Sequence, residues 1–348
     1  MLRRLKQAVR RSLLTYLPRI LRRLGVNERK EIFGKSMTER NFYESLSRSG
    51  KLQHFLSLAR SLDIRSFAVE GQLGVFEGSP EDRDVFGQYV LNQTWSPQLK
   101  ELVVKHAFRN GSGTYVDVGA NIGLTVLPVA AETNALCIAF EPEPETYQYL
   151  CKNLITNGLD KRVTTHNVAL FSEEAIVELE LGGRNKGDHR IRFQASGAGQ
   201  VDAFKESSRR VVRVRGCRLD DIVSAQTLPR PVVCKVDTQG AEVHVLRGAT
   251  QFLRVVDLLV AEFWPYGLAR AGMGVTEFLD IIRGFEYGAL LKFDAEERAE
   301  LPNQLMPIAV LEQELREISG NLSGTNYCDV ILVPRTSVSG FPFFNQPR

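Results

Sequence analysis

The stretch that most constrains the fold runs from Thr114 to Thr125 and reads TYVDVGANIGLT. Its first five residues form an apolar, β-rich run that is long enough for a buried strand and too short for a buried helix. Glycine then breaks the run, and a helix is predicted over residues 122–131. Strand, glycine turn and helix in this order are typical of a central parallel strand, whose carboxyl end presents free backbone N–H groups to a crevice.

The two glycines of this turn are spaced G-x-x-x-G, and the G-x-G-x-x-G pattern of dinucleotide-binding turns is missing. Asp117 lies two residues before Gly119, where its carboxylate repels a phosphate and suits a cation. S-adenosylmethionine (SAM) carries an ammonium and a sulfonium and has no phosphate. The turn therefore favours SAM, with Asp117, Gly119, Asn121 and Gly123 as cofactor-binding candidates. A plain α/β turn with a capping aspartate is the alternative.

The next two predicted strands supply further cofactor-binding candidates. The apolar run Leu136–Phe140 ends in Glu141, which follows Asp117 by 24 residues. An acidic residue about 20 residues after the first turn, at the end of the second strand, is placed to hold ribose hydroxyls. A third strand over residues 162–169 ends in Asn167 and Ala169, and we expect both to flank the adenine.

A fourth strand, Val232–Val236, ends in the segment DTQGAE, which contains Asp237 and Glu242. Carboxyl ends of parallel strands meet at one edge of a sheet, so we expect both carboxylates near the transferred methyl group as catalytic residues. A fifth strand ends near Glu262, which we assign to substrate binding. Helix capping is the alternative for Asp237 and Glu242. Asp237 with Glu262 or Glu242 could instead hold a divalent cation, but the sequence shows no three-ligand set, and no metal is predicted.

Residues 182–190 are polar, charged and rich in glycine. They predict either a solvated hairpin tip or a loop that covers the acceptor substrate. His189 is a third catalytic candidate, because an imidazole can serve as a base near neutral pH. Its neighbours Asp188 and Arg190 are substrate-binding candidates.

The first 26 residues carry eight arginine or lysine residues and no acidic residue, with leucines at helical spacing. This basic amphipathic arm predicts either peripheral contact with an anionic membrane surface or packing on the domain, and a transit peptide is a third interpretation. The rest of the chain has balanced charge and no basic stripe interleaved with aromatics, so no nucleic-acid partner is expected. Five scattered cysteines without C-x-x-C favour a reducing, cytoplasmic location.

The alternation of strands and helices after residue 114 predicts an α/β fold with a mostly parallel sheet flanked by helices. Residues 27–72 are interpreted as a helical N-terminal extension, residues 73–334 as the main domain, and residues 335–348 as a loose tail. The chain's 348 residues suffice for one large domain or two modest ones.

An ordered set of motifs resembles the FkbM family of SAM-dependent methyltransferases over residues 73–334. The motifs are VDVGANIG from Val116, FEP from Phe140, LDD from Leu219, KVDTQGAE from Lys235 and AEF from Ala261. The resemblance implies a class I methyltransferase (Rossmann-like) sheet of seven strands, with an antiparallel last strand at residues 327–333. The family commonly carries an acidic residue where this chain has Gln239.

The resemblance also implies O-methylation of a hydroxyl, often that of a sugar in a glycan, glycolipid or natural product. We therefore expect a small-molecule or glycan acceptor, which Asp237 orients or deprotonates. Two other classes remain. The first, a nucleotide-binding oxidoreductase on the same sheet, is disfavoured by the missing glycine pattern. The second is a non-catalytic or membrane-docked accessory protein with a SAM-binding fold.

Overall fold

The computed structural model describes residues 29–32, 35–38, 46–193, 208–291, 301–302, 304–320 and 326–341. The chain divides into two compact units, Met1–Asp63 and Ile64–Arg348. The predicted basic arm over residues 1–26 lies outside the described residues, as do the last residues of the predicted tail, 342–348. Among the helices that are described, none is both long enough and apolar enough to span a bilayer.

The first unit contains strand β1 (Arg29–Ile32), which pairs antiparallel with β2 (Lys35–Thr38), and helix α1 (Arg48–Ser61). Ser47 begins the helix, because its hydroxyl accepts the N–H of Gly50 at 3.0 Å. The prediction of a helical extension is therefore wrong at residues 29–32 and 35–38. Those strands flank Phe33-Gly34 in the sequence, and a short link containing glycine favours a hairpin.

The second unit follows the predicted alternation of strands and helices. In chain order its elements are β3 (Phe67–Gly71), β4 (Gly74–Gly78), α2 (Phe86–Asn92), α3 (Pro97–Lys100, continuing as a π-helical stretch, Glu101–Ala107), β5 (Thr114–Val118), α4 (Val126–Glu132), β6 (Leu136–Phe140), α5 (Pro144–Thr156), β7 (Val163–His166), β8 (Ala169–Leu170), β9 (Ala175–Glu180), β10 (Arg190–Ile191), β11 (Val211–Cys217), α6 (Leu219–Ile222), β12 (Val232–Val236), α7 (Glu242–Arg247), β13 (Leu258–Phe263), α8 (Pro265–Arg270), α9 (Val275–Ile282), β14 (Tyr287–Leu291), β15 (Met306–Pro307), α10 (Ile308–Ser319) and β16 (Cys328–Val333). Short 3₁₀ turns lie at Ala225–Thr227, Phe252–Arg254 and Arg335–Gly340.

The central sheet has the strand order β15-β14-β16-β13-β12-β5-β6-β7. The five strands from β13 to β7 pair in parallel, and β16 is antiparallel to both β13 and β14. This confirms the predicted class I arrangement and its antiparallel last strand. Within the described residues the sheet has eight strands and not seven, because the two-residue strand β15 adds an edge beside β14.

Strands β5, β12 and β13 are buried along their whole length, as expected for parallel strands covered on both faces. The core lies in two layers. Tyr115 belongs to one apolar cluster, whereas its neighbour Val116 belongs to the other, because successive side chains of a strand point to opposite faces. Packing of this kind fixes the carboxyl ends of the strands, where the site lies.

A second, four-stranded sheet of order β10-β9-β11-β8 is inserted between β7 and β12. It contains the predicted charged segment at residues 182–190. The predicted third strand is split, because β7 ends at His166 and Ala169 begins β8.

Two predicted boundaries of the main unit are wrong. Residues 67–71, assigned to the helical extension, form the first strand of a hairpin, so the main unit begins earlier than residue 73. Residues 335–341 are not loose, because Phe341 is buried in the core and the hydroxyl of Ser337 donates to Asp257 at 2.7 Å.

Candidate functional site

The glycine turn after β5 uses all of its backbone N–H groups within the protein. Those of Gly119 and Ala120 both donate to the carbonyl of Phe140, at 3.0 and 2.9 Å. The N–H of Asn121 donates to Glu141 Oε2 at 3.0 Å, and the next two donate to acceptors inside the turn. The prediction of free N–H groups is therefore wrong. The turn has no backbone donor left for a phosphate, which further disfavours a dinucleotide.

The two glycines of the turn have different functions. Gly119 has φ of +82°, and a Cβ there would lie 1.9 Å from the carbonyl oxygen of Asp237. Its absence of a side chain lets two loops approach closely at the cavities described below. Gly123 has φ of +97°, and a Cβ there would lie 2.2 Å from the side chain of Leu127. Gly123 thus allows helix packing and does not line a cavity.

Asp117 lies beneath the site and not on its surface. The side chain is fully buried, and the hydroxyl of Thr125 donates to its Oδ2. Its Oδ1 lies 3.9 Å from Lys235 Nζ. Burial raises the pKa of Asp117. The structure thus places Asp117 as a link between β5 and β12, behind the residues that line the cavities.

Glu141 lies at the end of β6 and lines the smaller of two cavities. Its carboxylate accepts the N–H groups of Glu143 and Asn121, at 2.9 and 3.0 Å. Burial raises its pKa to about 8. Ala169 lines the same cavity. Asn167 does not, because its exposed side chain donates instead to the carbonyl of Glu141 at 2.8 Å.

The two cavities adjoin one another at the carboxyl ends of the parallel strands. The smaller is narrow, about 60 Å³, and the larger has a volume of about 730 Å³. Residues that line both are Gly119, Asn121, Gly187, Asp237 and Gln239. These residues mark the junction of the two spaces.

Asp237 is the centre of a polar cluster at this junction. Its carboxylate accepts hydrogen bonds from Lys235 Nζ at 3.1 Å and from Gln239 Nε2 at 2.8 Å. Gln239 Nε2 also lies 3.1 Å from both carboxyl oxygens of Glu262. A glutamine at this position therefore donates to two carboxyl groups, whereas an acidic residue would repel them.

The charges of the cluster are set by burial and by each other. Burial, with Asp237 and Glu242 as neighbouring charges, raises the pKa of Glu262 well above its usual range. Burial also raises the pKa of Asp329, to about 7. Burial opposes the charge of Lys235, but the surrounding carboxylates, Asp237 first, raise its pKa above the usual value. The cluster thus joins one cation, Lys235, to two carboxyl groups, Glu262 and Asp329, whose pKa values are raised.

Two members of this cluster, Lys235 and Asp329, were not among the predicted site residues. The sequence could have identified Lys235 as a site residue, because it lies two residues before Asp237 and alternation along a strand puts both side chains on one face. No sequence pattern identifies Asp329 as a site residue. It reaches the site only because β16 pairs with β13 and places it opposite Glu262.

Glu242 is fully buried and does not line a cavity. Its carboxylate accepts the N–H of Thr238 at 2.7 Å and the N–H of Gly240 at 3.0 Å. Burial raises its pKa to about 7. The structure supports the alternative interpretation of Glu242, in which the carboxylate shapes the turn that presents Asp237.

The charged segment at residues 182–190 lines both cavities and is held in place by ion pairs. Asp188 binds the guanidinium groups of both Arg190 and Arg209. Arg190 also stacks over the ring of Trp264 at 4.5 Å. Both Asp188 and Arg190 line the larger cavity, whereas His189 lines the smaller. The structure therefore separates three residues that are adjacent in sequence into two environments.

A metal site is not indicated within the described ranges, where no three histidine, cysteine or acidic side chains are arranged to hold an ion.

Comparison with known proteins matches this chain to methyltransferases. The family model described as the methyltransferase FkbM domain matches residues 117–295, more than half of the chain. Hexuronic acid methyltransferase AglP from Haloferax volcanii is 29% identical over 147 residues, which cover 42% of this chain and 54% of that protein. The chain thus matches about half the length of that relative. Methyltransferase sdnD from Sordaria araneosa is 31% identical, with 44% of this chain and 67% of that protein covered.

Among solved structures, the methyltransferase FkbM from Methylobacillus flagellatus KT aligns with 64% of this chain and 44% of its own, at 15% identity and a TM-score of 0.35. The fold assignment rests on the strand order described above and not on that alignment.

Proposed function

The chain belongs to the FkbM methyltransferase family, and we propose that it transfers a methyl group from SAM to a hydroxyl, preferably that of a sugar. The proposal is carried by one observation. Among the described residues, Asp237 is the only acidic residue that lines both cavities, so it lies where a cofactor on one side would meet an acceptor on the other.

The smaller cavity and its junction with the larger have the groups that SAM requires. The carboxylate of Glu141 offers acceptor lone pairs to ribose hydroxyls, and Ala169 lies in the apolar wall for the adenine. Because the smaller cavity is narrow, the adenosine would also occupy the junction beside Gly119. When bound, SAM supplies an electrophilic methyl group on its sulfonium.

Asp237 would orient the acceptor hydroxyl and take its proton. Its side chain is 36% exposed, so it is accessible to an acceptor in the larger cavity. Lys235 and Gln239 each donate to one of its oxygens and so fix the carboxylate in one orientation. The second lone pair of each oxygen remains available for the acceptor. Positioning of this kind supplies much of the rate gain expected for an in-line displacement.

The larger cavity suits a polyhydroxylated ring. Aromatic residues Trp95, Trp264 and Tyr327 line it together with the carboxyl groups of Asp84 and Asp329. Carboxyl oxygens accept hydrogen bonds from hydroxyls, and aromatic faces cover the apolar faces of a sugar ring. The match to a hexuronic acid methyltransferase supports a sugar acceptor. None of the five cysteines, all of which lie in the described ranges, forms a disulfide, which supports a reducing compartment such as the cytoplasm.

The test compares Asp237→Asn with Glu262→Gln. Methyl transfer from radiolabelled SAM to a panel of monosaccharides and aryl glycosides gives the rate, and calorimetry with S-adenosylhomocysteine gives the affinity of the cofactor site. We expect Asp237→Asn to lose at least about 100-fold in rate, the lower range for loss of a general base, and to keep its cofactor affinity. Glu262→Gln should lose less, about a few-fold, because Glu262 lines only the larger cavity and does not reach the junction with the smaller one.

Equal rates in Asp237→Asn and the unmodified protein would overturn the role of Asp237. Failure of the unmodified protein to bind S-adenosylhomocysteine would overturn the methyltransferase proposal itself and favour the accessory-protein alternative.

A further inference from the structure

His189 lies in the turn that joins β9 to β10, and its ring is held in one tautomer. The imidazole is 9% exposed, and its Nδ1 accepts the N–H of Gly182 at 3.0 Å. Burial lowers the pKa of His189 to about 4. A neutral imidazole whose Nδ1 accepts a hydrogen bond carries its proton on Nε2. Nε2 is therefore a donor, and the base predicted from the sequence is not present at this position.

The Nε2–H group has no partner. The atom is fully buried, and no acceptor lies within hydrogen-bond distance of it in the part of the chain that the structure describes. Buried polar groups in native proteins are nearly always paired, so an unpaired one requires an explanation. The ring lines the smaller cavity together with Glu141 and Ala169. A ligand in that cavity is the available source of an acceptor.

We propose that His189 donates its Nε2–H to an acceptor atom of the adenosine portion of the cofactor, either a ring nitrogen or a ribose oxygen. This inference rests on the proposed function, since it assigns a ligand to the same site. It makes His189 a cofactor-positioning residue supplied by the inserted sheet, whereas Glu141 is supplied by the central sheet.

The segment that carries His189 is held in place by contacts within the protein. The side-chain amide of Asn121 donates to the carbonyl of Lys186 at 3.0 Å, and the N–H of Lys186 donates to Asp82 at 3.2 Å. The N–H of Arg83 donates to the carbonyl of Arg184 at 2.8 Å. The turn that carries the donor is therefore ordered before any ligand arrives, which reduces the entropy cost of binding.

Two substitutions of His189 test the contributions of the two ring nitrogens separately. In His189→Asn, the amide oxygen can still accept the N–H of Gly182, but nothing reaches the position of Nε2. In His189→Gln, the longer amide can place a donor near that position. His166→Asn is the matched control, because His166 lies nearby, stacks on Phe140 and does not line either cavity.

Affinities are measured by calorimetry for S-adenosylhomocysteine and for 5′-methylthioadenosine, which lacks the amino-acid portion. We expect His189→Asn to weaken both ligands by the same factor, about 10-fold for one lost hydrogen bond in a buried site. His189→Gln should recover most of this loss, and His166→Asn should bind both ligands like the unmodified protein. Thermal unfolding of each variant checks that the fold is intact.

The proposal is overturned if His189→Asn is folded and binds both ligands normally. It is also overturned if only S-adenosylhomocysteine is weakened, because the contact would then involve the amino-acid end. If His189→Asn does not fold, the His189→Gln variant provides the test. The proposal would be contradicted if that variant, whose side-chain amide can still donate near the position of Nε2, bound both ligands 10-fold or more weakly than the unmodified protein. Failure of the unmodified protein to bind either ligand would instead overturn the proposed function.

Discussion

The two turns that meet at the cavities, one after β5 and one after β12, are held by different forces. In the first, residues 119–123 donate their N–H groups mainly to backbone carbonyls, and the absence of a Cβ at Gly119 allows the close approach. In the second, side chains hold the carboxylate of Asp237 in place, because Lys235 and Gln239 donate hydrogen bonds to it. The first turn should therefore be sensitive to added volume, and the second to changes in charge.

The largest effect is expected from removing the cation of the second turn. Lys235 is 7% exposed and lies 3.1 Å from Asp237 and 3.9 Å from Asp117. In Lys235→Met these carboxylates lose their buried counter-charge, which typically costs about 3–5 kcal/mol. Urea unfolding at pH 8 measures the loss. At pH 5 the loss should shrink, because the unbalanced carboxylates can then take up protons.

Lys152→Met is the control for that comparison. Lys152 makes an ion pair of similar length with Glu77, 3.1 Å, but its side chain is 55% exposed. Exposed pairs contribute about 0–1 kcal/mol. If both lysine variants lost the same small amount of stability, the second turn would not depend on charge and the contrast between the turns would be wrong.

The first turn is tested by adding one methyl group. In Gly119→Ala the new Cβ would lie 1.9 Å from a backbone oxygen at φ of +82°. Overpacking and left-handed strain together predict a loss of about 2–4 kcal/mol. Gly158→Ala has a similar φ of +71° with no atom within 4 Å of the added carbon, so only strain applies and about 1 kcal/mol is expected.

Chemical denaturation of both glycine variants measures the difference. Equal losses would mean that the close approach to Asp237 relaxes without cost, and that the turn is not held by the fit of the two loops.

The same contrast explains what the sequence could predict. The glycine turn, Glu141 and the position of Asp237 follow from local patterns, because strand, turn and helix are encoded by neighbouring residues. The mostly parallel character of the central sheet followed from the alternation of elements, and its antiparallel last strand from the family resemblance. Both the order of strands and helices along the chain and the family motifs can be read from consecutive residues.

The remaining part of the site depends on contacts between distant residues. Asp329 faces Glu262 only through strand pairing, and the donor state of His189 is set by one backbone N–H and by burial. Glu242 was assigned to catalysis because its sequence position follows Asp237, yet its carboxylate turns back to the N–H of Thr238. A side-chain direction of this kind is decided by the turn geometry, which the motif alone does not specify.

The effect that is smallest per measured step, because it is spread over several pH units, is the pH dependence that Asp329 gives to stability. Burial raises its pKa to about 7, whereas an unfolded aspartate has a pKa of about 3.9. Between these values the folded state retains a proton that the unfolded state releases. The free energy of unfolding must then fall as pH rises, by about 1.4 kcal/mol per pH unit for one such group, until pH 7 is passed.

Asp329→Asn should make that slope shallower by up to about 1.4 kcal/mol per unit between pH 5 and 7. Glu141, Glu242 and Glu262, whose pKa values are also raised by burial, contribute slopes of the same sign to both proteins, so subtraction of the two curves removes the part that does not depend on Asp329. Asp280→Asn is the control, because that side chain is 57% exposed and its loss should leave the slope unchanged. Urea midpoints at half-unit pH steps provide the measurement. A slope that is the same in all three proteins would mean that Asp329 is ionised in the fold, and that the second turn holds more negative charge than Lys235 alone can balance.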